Sequence, residues 1–461
     1  MNIPSRAKSK NGRLPCLAGA LGITVGLCAI VTGCRLELAA DAGTLVPSVN
    51  EVQTLLDQDR VRQALVRAGL LARRYPGPET DLVYGWALWR NGDVRGAESR
   101  FRRAAEAGLD GGYVGLAAVR ATDADWPAVI ELASGRSSGT AHALLASAAW
   151  AGGDAETTER ELRAWSQVER GTARGRAAGA MAAAVARLRG PPQQWDGDAV
   201  VLPIRELAGG GWAVEARIDG HPALLRIELT YRQSIISERF AAAGGIMVDG
   251  SEDATGRTAS YRWPSMLSAR QAALARVEFG AVVVRNIVVA VGDLPAGIDG
   301  VLSADLLSAA RWSVSLARAE MVLSPPARAS AADVLARSFE GRTIAWLSAR
   351  VVREGLVAQM FLFPRVENTV VAAGLDLEGV SRLDSDLLPA VPGRGTAPAE
   401  LTLGGWREEV VWRPASLAGW AIDGGVAPTA VIGANLLDAW SLHWYPAMEQ
   451  FRIDAPPSSG R

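Results

Sequence analysis

The residue types able to do chemistry are few in this chain, and most are widely separated. Three cysteines stand at Cys16, Cys28 and Cys34, and three histidines at His142, His221 and His443. With no cysteine beyond residue 34 and the histidines scattered, neither a metal cluster nor a Cys/His nucleophile pair is suggested, and no metal or cofactor is expected. No Gly-Lys-Ser/Thr phosphate loop occurs, and the one Gly-x-Ser-x-Gly spacing, Gly135-Arg-Ser-Ser-Gly139, lies in a stretch of helical periodicity and not after a strand, so it makes no nucleophile elbow. Carboxylates remain. Asp299-Gly300 and Asp423-Gly424 read as turn formers, because Asp-Gly is a frequent turn pair. Glu228 follows an apolar stretch and precedes Ser234-Ile-Ile-Ser237, which places an acid at the end of a strand.

Cys34 has the most specific surroundings. Arg6, Lys8, Lys10 and Arg13 precede an uncharged apolar run from Leu17 to Val31, the order of an export signal. The run is shorter than the roughly twenty residues of a permanent membrane helix, so removal is expected. It closes on Val31-Thr32-Gly33-Cys34, which resembles the lipobox of bacterial lipoproteins. The resemblance implies a signal over 1–33, a diacylated Cys34 as the new N-terminus and a linker over 34–46. Cys16 and Cys28 would leave with the signal, so the mature chain could form no internal disulfide. Several acyl chains on one cysteine anchor stably where one does not. Arg35 in place of Asp implies, by the same resemblance, the periplasmic face of the outer membrane of the cell envelope.

The remainder has ordinary globular composition. Its 461 residues are 49% hydrophobic and 21% charged, with a formal net charge of −1 and a pI near 6.4. A nucleic-acid partner is excluded by the lack of basic blocks. At this length two or three domains are expected, and the texture changes at Pro191-Pro192.

Residues 47–190 are rich in Ala, Leu, Arg and Glu, with apolar residues at helical spacing. Leu82-Val-Tyr-Gly-Trp-Ala-Leu-Trp-Arg-Asn-Gly-Asp93, read on to Ala97, Phe101 and Ala104, resembles a tetratricopeptide repeat. Similar positions recur at Ala64 with Ala68, at Ala128 with Leu132 and at Thr158 with Leu162, in steps of 33, 31 and 30 residues. Stacked helical hairpins present a concave face suited to a peptide or protein partner. A spacer between membrane and domain is the plainer alternative.

From Trp195 the chain reads as short Val/Ile/Leu strands with Gly turns. A hairpin over 213–227 turns at Asp219-Gly220, and Val277-Glu-Phe-Gly280, Ile287–Val291 and Ile298–Leu307 follow. The order resembles the retroviral-type aspartic protease family. It then recurs. Ala349–Val351 answers Ala216–Ile218, Leu401–Gly404 answers Val277–Gly280, Val431–Leu437 answers Val301–Leu307, and Trp440–Leu442 answers Trp312–Val314. The expected layout is therefore multidomain: an α-helical repeat domain, then a mostly-β, two-lobed aspartic-protease-like domain with lobes over 195–325 and 337–455.

That family's chemistry needs two carboxylates sharing a proton, each in an Asp-Thr/Ser-Gly turn. Neither turn is present. The first lobe has Glu228-Leu229-Thr230, and the matching spacing before Thr369-Val-Val371 gives Phe363-Pro364-Arg365. Glu228 then has no partner acid, Phe363 and Pro364 are degenerate positions, and no catalytic residue is expected. Retained as a groove, the fold would hold an extended peptide near Glu228, Thr230 and Arg365. The expected function is a membrane-anchored, non-catalytic peptide- or protein-binding scaffold. Its alternatives are a peptidase using unrecognised acids or completed by dimerisation, and a structural component of an envelope complex.

Overall fold

The computed structural model describes residues 47–455, apart from 59, 209, 251–258, 261–267, 327–341, 363, 367–368, 371–372, 378–380, 385–395, 404–405, 416, 418–429, 438–439 and 447–449. The export signal, Cys34, the linker to residue 46, Phe363 and Asp423 lie outside the described residues. Among the described residues no helix is long and apolar enough to cross a membrane.

The N-terminal part is helical: α1 (Val49–Asp57), α2 (Val61–Arg74), α3 (Pro78–Arg90), α4 (Val94–Glu106), α5 (Asp110–Thr122), α6 (Trp126–Ala133), α7 (Gly139–Ala151), α8 (Ala155–Val168) and α9 (Ala173–Val185). Three of the even helices open on the same device. Asp93, Asp125 and Asp154 accept from the backbone N–H of Gly96, Ala128 and Thr157, which satisfies an orphan amide and places negative charge at the positive helix end. The residue before each cap is left-handed: Gly92, Ala124 (φ 52°) and Gly153. Ala124 holds this conformation without glycine's freedom, at a cost of about 1–2 kcal/mol.

Close approach of helices rests on small residues around Phe101. A Cβ on Gly85 would lie 2.6 Å from the Phe101 ring, and one on Gly115 2.4 Å, so both helices press their backbones against it. Trp86 meets the same ring edge-on at 4.8 Å. The expected repeat positions fall on successive even helices, with one correction. Ala64, Ala68, Ala97, Thr158 and Leu162 are fully buried, but on α6 it is Val129 and Ala133 that are buried, not Ala128 and Leu132. The helix is only eight residues long, and its packing face begins one residue later than the spacing implied.

The rest, from Gln194 to Ala455, is β-rich. Its centre is a six-stranded antiparallel sheet. In order across it run Val200–Glu206, Glu320–Ser324, Arg311–Ser315, Ser441–Tyr445, Gln450–Ala455 and Arg342–Glu354. Three strands come from each half of the β-rich part, and the halves meet where Ser313 pairs with His443. Trp312 and Trp444 are buried here against Phe451, at 5.7 and 4.9 Å between ring centres. Each indole N–H is satisfied by a backbone carbonyl, Leu307 for Trp312 and Ser308 for Trp444, so burying two large rings leaves no donor stranded.

Each half then folds a hairpin off its outer strand. Trp212–Ile218 pairs with His221–Ile227 around Asp219 and Gly220, both left-handed, as the Asp-Gly pair implies. Arg342–Glu354 pairs with Val357–Leu362 around Gly355-Leu356. The second turn therefore lies 136 residues after the first, not 133. The arms run three residues further than the match of Ala349–Val351 to Ala216–Ile218 implied. Two further correspondences coincide in structure: Phe279 and Leu403 end the first strands of equivalent hairpins, and Gly300–Leu302 and Ala430–Ile432 occupy equivalent places, each leading into a four-residue helix. The match of Trp440 to Trp312 is two residues out: Trp312 lies within strand 311–315, whereas Trp440 precedes strand 441–445, whose second residue is Leu442.

Candidate functional site

The acid in the first half is positioned by a parallel pairing. Strand 221–227 runs beside Gly300–Leu302, with Ile227 opposite Leu302, and the Glu228 N–H donates to the Leu302 carbonyl at 3.0 Å. The loop that follows is tied down at Ser234. Its N–H and Oγ donate to Asp305 at 2.9 and 2.7 Å, and its Oγ accepts from the Ser303 N–H at 3.1 Å. Burial pushes the Asp305 carboxyl up to about 6 against these bonds.

The second half repeats this arrangement on residues that the spacing did not select. Ala373–Leu375 runs parallel to Ala430–Ile432, with Leu375 opposite Ile432. The next N–H, that of Asp376, donates to the Ile432 carbonyl at 2.9 Å. Ser381 Oγ accepts from the Gly433 N–H at 3.1 Å, as Ser234 does from Ser303. The counterpart of Glu228 is therefore Asp376, not Phe363 or Pro364. The two hairpin turns are 136 residues apart and the two acids 148, so twelve extra residues enter between strand 357–362 and the acid. They include the small hairpin Arg365–Val366 with Thr369–Val370, which had passed for the loop itself. Pro364 is buried beside it, and Arg365 is exposed on a strand paired with Thr402.

This corrects the expectation that Glu228 lacks a partner acid. Glu228 and Asp376 are each 4% exposed, and each is followed by a buried leucine, Leu229 or Leu377. Glu228 Oε1 accepts from Thr230 Oγ1 at 2.7 Å, and its Oε2 lies 3.6 Å from Arg226 Nη2. Asp376 Oδ2 lies 3.5 Å from Arg382 Nη2. Burial pushes the Glu228 carboxyl up to about 7, with the charge of Asp376 adding to the rise and Thr230 and Arg226 opposing it. Burial pushes Asp376 up to about 6, against Arg382 and Arg226. Arg226 acts on both acids and is itself buried. The cluster is thus two carboxylates, one from each half, with a guanidinium beside each. The signal for it in the sequence is faint: Leu375-Asp-Leu377 with Ser381 answers Ile227-Glu-Leu229 with Ser234.

A second constellation joins Ser313, His443 and Asp454. Ser313 Oγ lies 2.6 Å from His443 Nδ1, and His443 Nε2 lies 3.1 Å from Asp454 Oδ2, which also accepts from Arg452 at 2.6 Å. All three residues are at most 2% exposed on the central sheet. Burial lowers the His443 pKa against the opposing pull of Asp454. With no route to a substrate, the serine is a core residue rather than a nucleophile. His443 is a satisfied core histidine, and His142 pairs with Glu161 at 2.9 Å. Among the described residues no group of three or more His, Cys, Asp or Glu side chains is arranged to hold a metal.

The helical part has its own concavity. The odd helices line a trough of about 500 Å³, with Trp86, Trp89, Arg90, Leu144 and Arg174 on its walls. The tip of hairpin 342–362 closes one end. The Gly355 N–H donates to the Ala143 carbonyl at 3.1 Å, and the Gly355 carbonyl accepts from Ser147 Oγ at 3.1 Å. Glu354 pairs with Arg174, and the Arg353 guanidinium stands 5.7 Å from the Trp126 ring centre. Gly355 has φ 60°, and a Cβ there would lie 3.0 Å from the Trp165 ring, so only glycine fits the turn against the helix.

No family model matches the sequence, and no curated protein matches it. Among solved structures, the chain is similar to a crystal structure described as edgp, with 9% identity, 56% of this chain and 95% of that one covered, and a TM-score of 0.33. It is also similar to conglutin gamma, a basic 7S globulin of lupine seeds, at 10% identity, with 56% and 95% covered and a TM-score of 0.32. Basic 7S globulin from soybean matches at 10% identity, with 58% and 98% covered and a TM-score of 0.34. At such scores the architecture is defined by the strand pairings themselves.

Proposed function

We propose that the chain is a lipid-anchored, non-catalytic scaffold that binds a peptide or protein. In this reading the lipid sits on Cys34, the helical hairpins are repeats of the tetratricopeptide type, and the β-rich part is a duplicated aspartic-protease-like domain. The duplication is supported by the central sheet shared three strands to three and by the equivalent placing of Glu228 and Asp376 after equivalent parallel pairs. The observation that carries the non-catalytic reading is the state of those acids. Both are buried, Thr230 holds one oxygen of Glu228, and a guanidinium stands beside each carboxylate. Hydrolysis by a proton-sharing pair needs a water and a carbonyl within hydrogen-bond reach of both acids. Here each carboxylate is engaged by residues of its own half instead: Glu228 by Thr230 and Arg226, Asp376 by Arg382.

The binding surface in this reading is the trough, whose half-buried Trp86 and mixed charges suit an extended peptide. A peptide library incubated with the purified protein tests it. Peptides retained intact, and retained less by Trp86→Ala, are expected. Fragments with no retained peptide would contradict the reading.

One observation favours a peptidase as the second reading. Asp376 supplies a partner acid for Glu228, and its charge adds to the rise that burial produces at Glu228, as a like-charged neighbour does.

A further inference from the structure

Among the described residues eight large apolar side chains are exposed, and three of them, Val66 (57%), Leu70 (43%) and Tyr75 (53%), fall within ten residues on or just after α2. The others, Ile130, Val168, Val201, Met247 and Val411, are far apart in sequence and need no special account. The inner face of α2 is conventional: Val61, Ala64, Ala68, Leu71 and Ala72 are buried. The outer face is not. Projected at about 100° per residue, Val66 and Leu70 fall about 40° and 80° from Arg62, with Arg73 at about 20° and Arg74 and Arg67 at about 120° and 140°. An apolar stripe therefore runs down the middle with two arginines on each flank. The helix carries no acidic residue. The acid facing it from α1 is Glu51, 3.6 Å from Arg67.

Apolar side chains flanked on both sides by long cationic ones suit one kind of surface in particular. The stripe enters the boundary between headgroups and acyl chains while the guanidinium groups stay level with the phosphates. A protein partner would need matching acids on two sides of a narrow ridge; an anionic bilayer offers them everywhere. The position in the chain agrees. Residues 35–46 separate Cys34 from the first described residue, Pro47, and twelve residues span at most about 40 Å, so a lipid at Cys34 would hold Pro47 within that reach of the membrane.

We propose that the outer face of α2 docks on a bilayer surface bearing anionic headgroups, orienting the scaffold against the membrane. The proposal deepens the anchoring part of the proposed function, yet it requires no acyl group, so the two can fail separately. The test uses the chain from residue 34 onward, which contains every described element, carrying Cys34→Ser. Co-sedimentation is measured with vesicles of phosphatidylcholine alone and with vesicles holding one third phosphatidylglycerol.

Binding to the anionic vesicles alone, weakened in high salt, is expected. Arg73→Ala with Arg74→Ala should lower the affinity about 25-fold, at about fivefold per arginine. Val66→Ser with Leu70→Ser should lower it further, while Ile130→Ser leaves it unchanged. Absence of binding, equal binding to both vesicles, or indifference to the arginine pair in a protein with unchanged circular dichroism would overturn the proposal. None of these would touch Cys34, whose acylation is read from the mass of the mature N-terminus.

Discussion

Replacing Glu228 with glutamine isolates the cost of keeping a carboxyl group in the cluster. In the folded protein burial and the neighbouring Asp376 hold Glu228 at about 7, against an ordinary value of 4.5. A folded pKa above the unfolded one means that the native state holds the proton more tightly. Stability from this group is fully present below about pH 4.5 and is lost as pH rises through about 7. The gap between those two values corresponds to about 3 kcal/mol, at about 1.36 kcal/mol per pH unit.

Glutamine keeps an oxygen that accepts from Thr230 Oγ1 but cannot ionise. Urea unfolding of both proteins, followed by tryptophan fluorescence from about pH 4 to about pH 8, should give a wild-type stability that falls faster with pH than the variant's. The difference between the curves should grow by about 3 kcal/mol over that range. Because the acids titrate as a pair, Asp376→Asn should flatten the curve too, and the two effects should not add. Parallel curves for wild type and Glu228→Gln would refute the electrostatic account of the cluster.

Four substitutions test the packing of the helical part and of the hairpin tip seated against it. Ala124→Gly should stabilise the protein by about 1 kcal/mol in thermal unfolding, because φ 52° strains alanine and not glycine. Gly115→Ala should cost about 1–3 kcal/mol, since its new methyl would stand 2.4 Å from the Phe101 ring; Gly108→Ala, which has open space but a left-handed backbone, should cost less. Gly355→Ala should cost about 2 kcal/mol from φ 60° and the contact with Trp165. Limited proteolysis should then cut the hairpin tip faster than in the wild type.

Much of the architecture was legible because local chemistry repeats. Gly92-Asp93 and Gly153-Asp154 announce helix starts by a left-handed turn and a cap, and Asp219-Gly220 announces a hairpin. At Asp123-Ala-Asp125 the glycine is missing, and there the register slipped by one residue, from Ala128 to Val129. The partner of Glu228 was hidden for a different reason. Spacing carries an alignment only while the loops between matched segments keep their length, and twelve extra residues before Asp376 moved it away from the position that Thr369-Val-Val371 marked. Asp376 becomes visible only through the parallel pairing of Leu375 with Ile432. The seat of Gly355 against Ala143 and Trp165 joins residues some two hundred positions apart, and no local pattern encodes that contact. His443 looked isolated in sequence because its neighbours, Ser313 and Asp454, reach it across adjacent strands of a sheet.

The central claim, that the acid pair does not catalyse, is tested most directly by turnover. Purified protein is mixed with a pool of fluorogenic peptides from about pH 3 to about pH 8, beside Glu228→Gln and Asp376→Asn. The buried, arginine-flanked cluster predicts no turnover in any of the three at any pH. Turnover by the wild type that disappears in both variants would contradict the account and establish the chain as a peptidase.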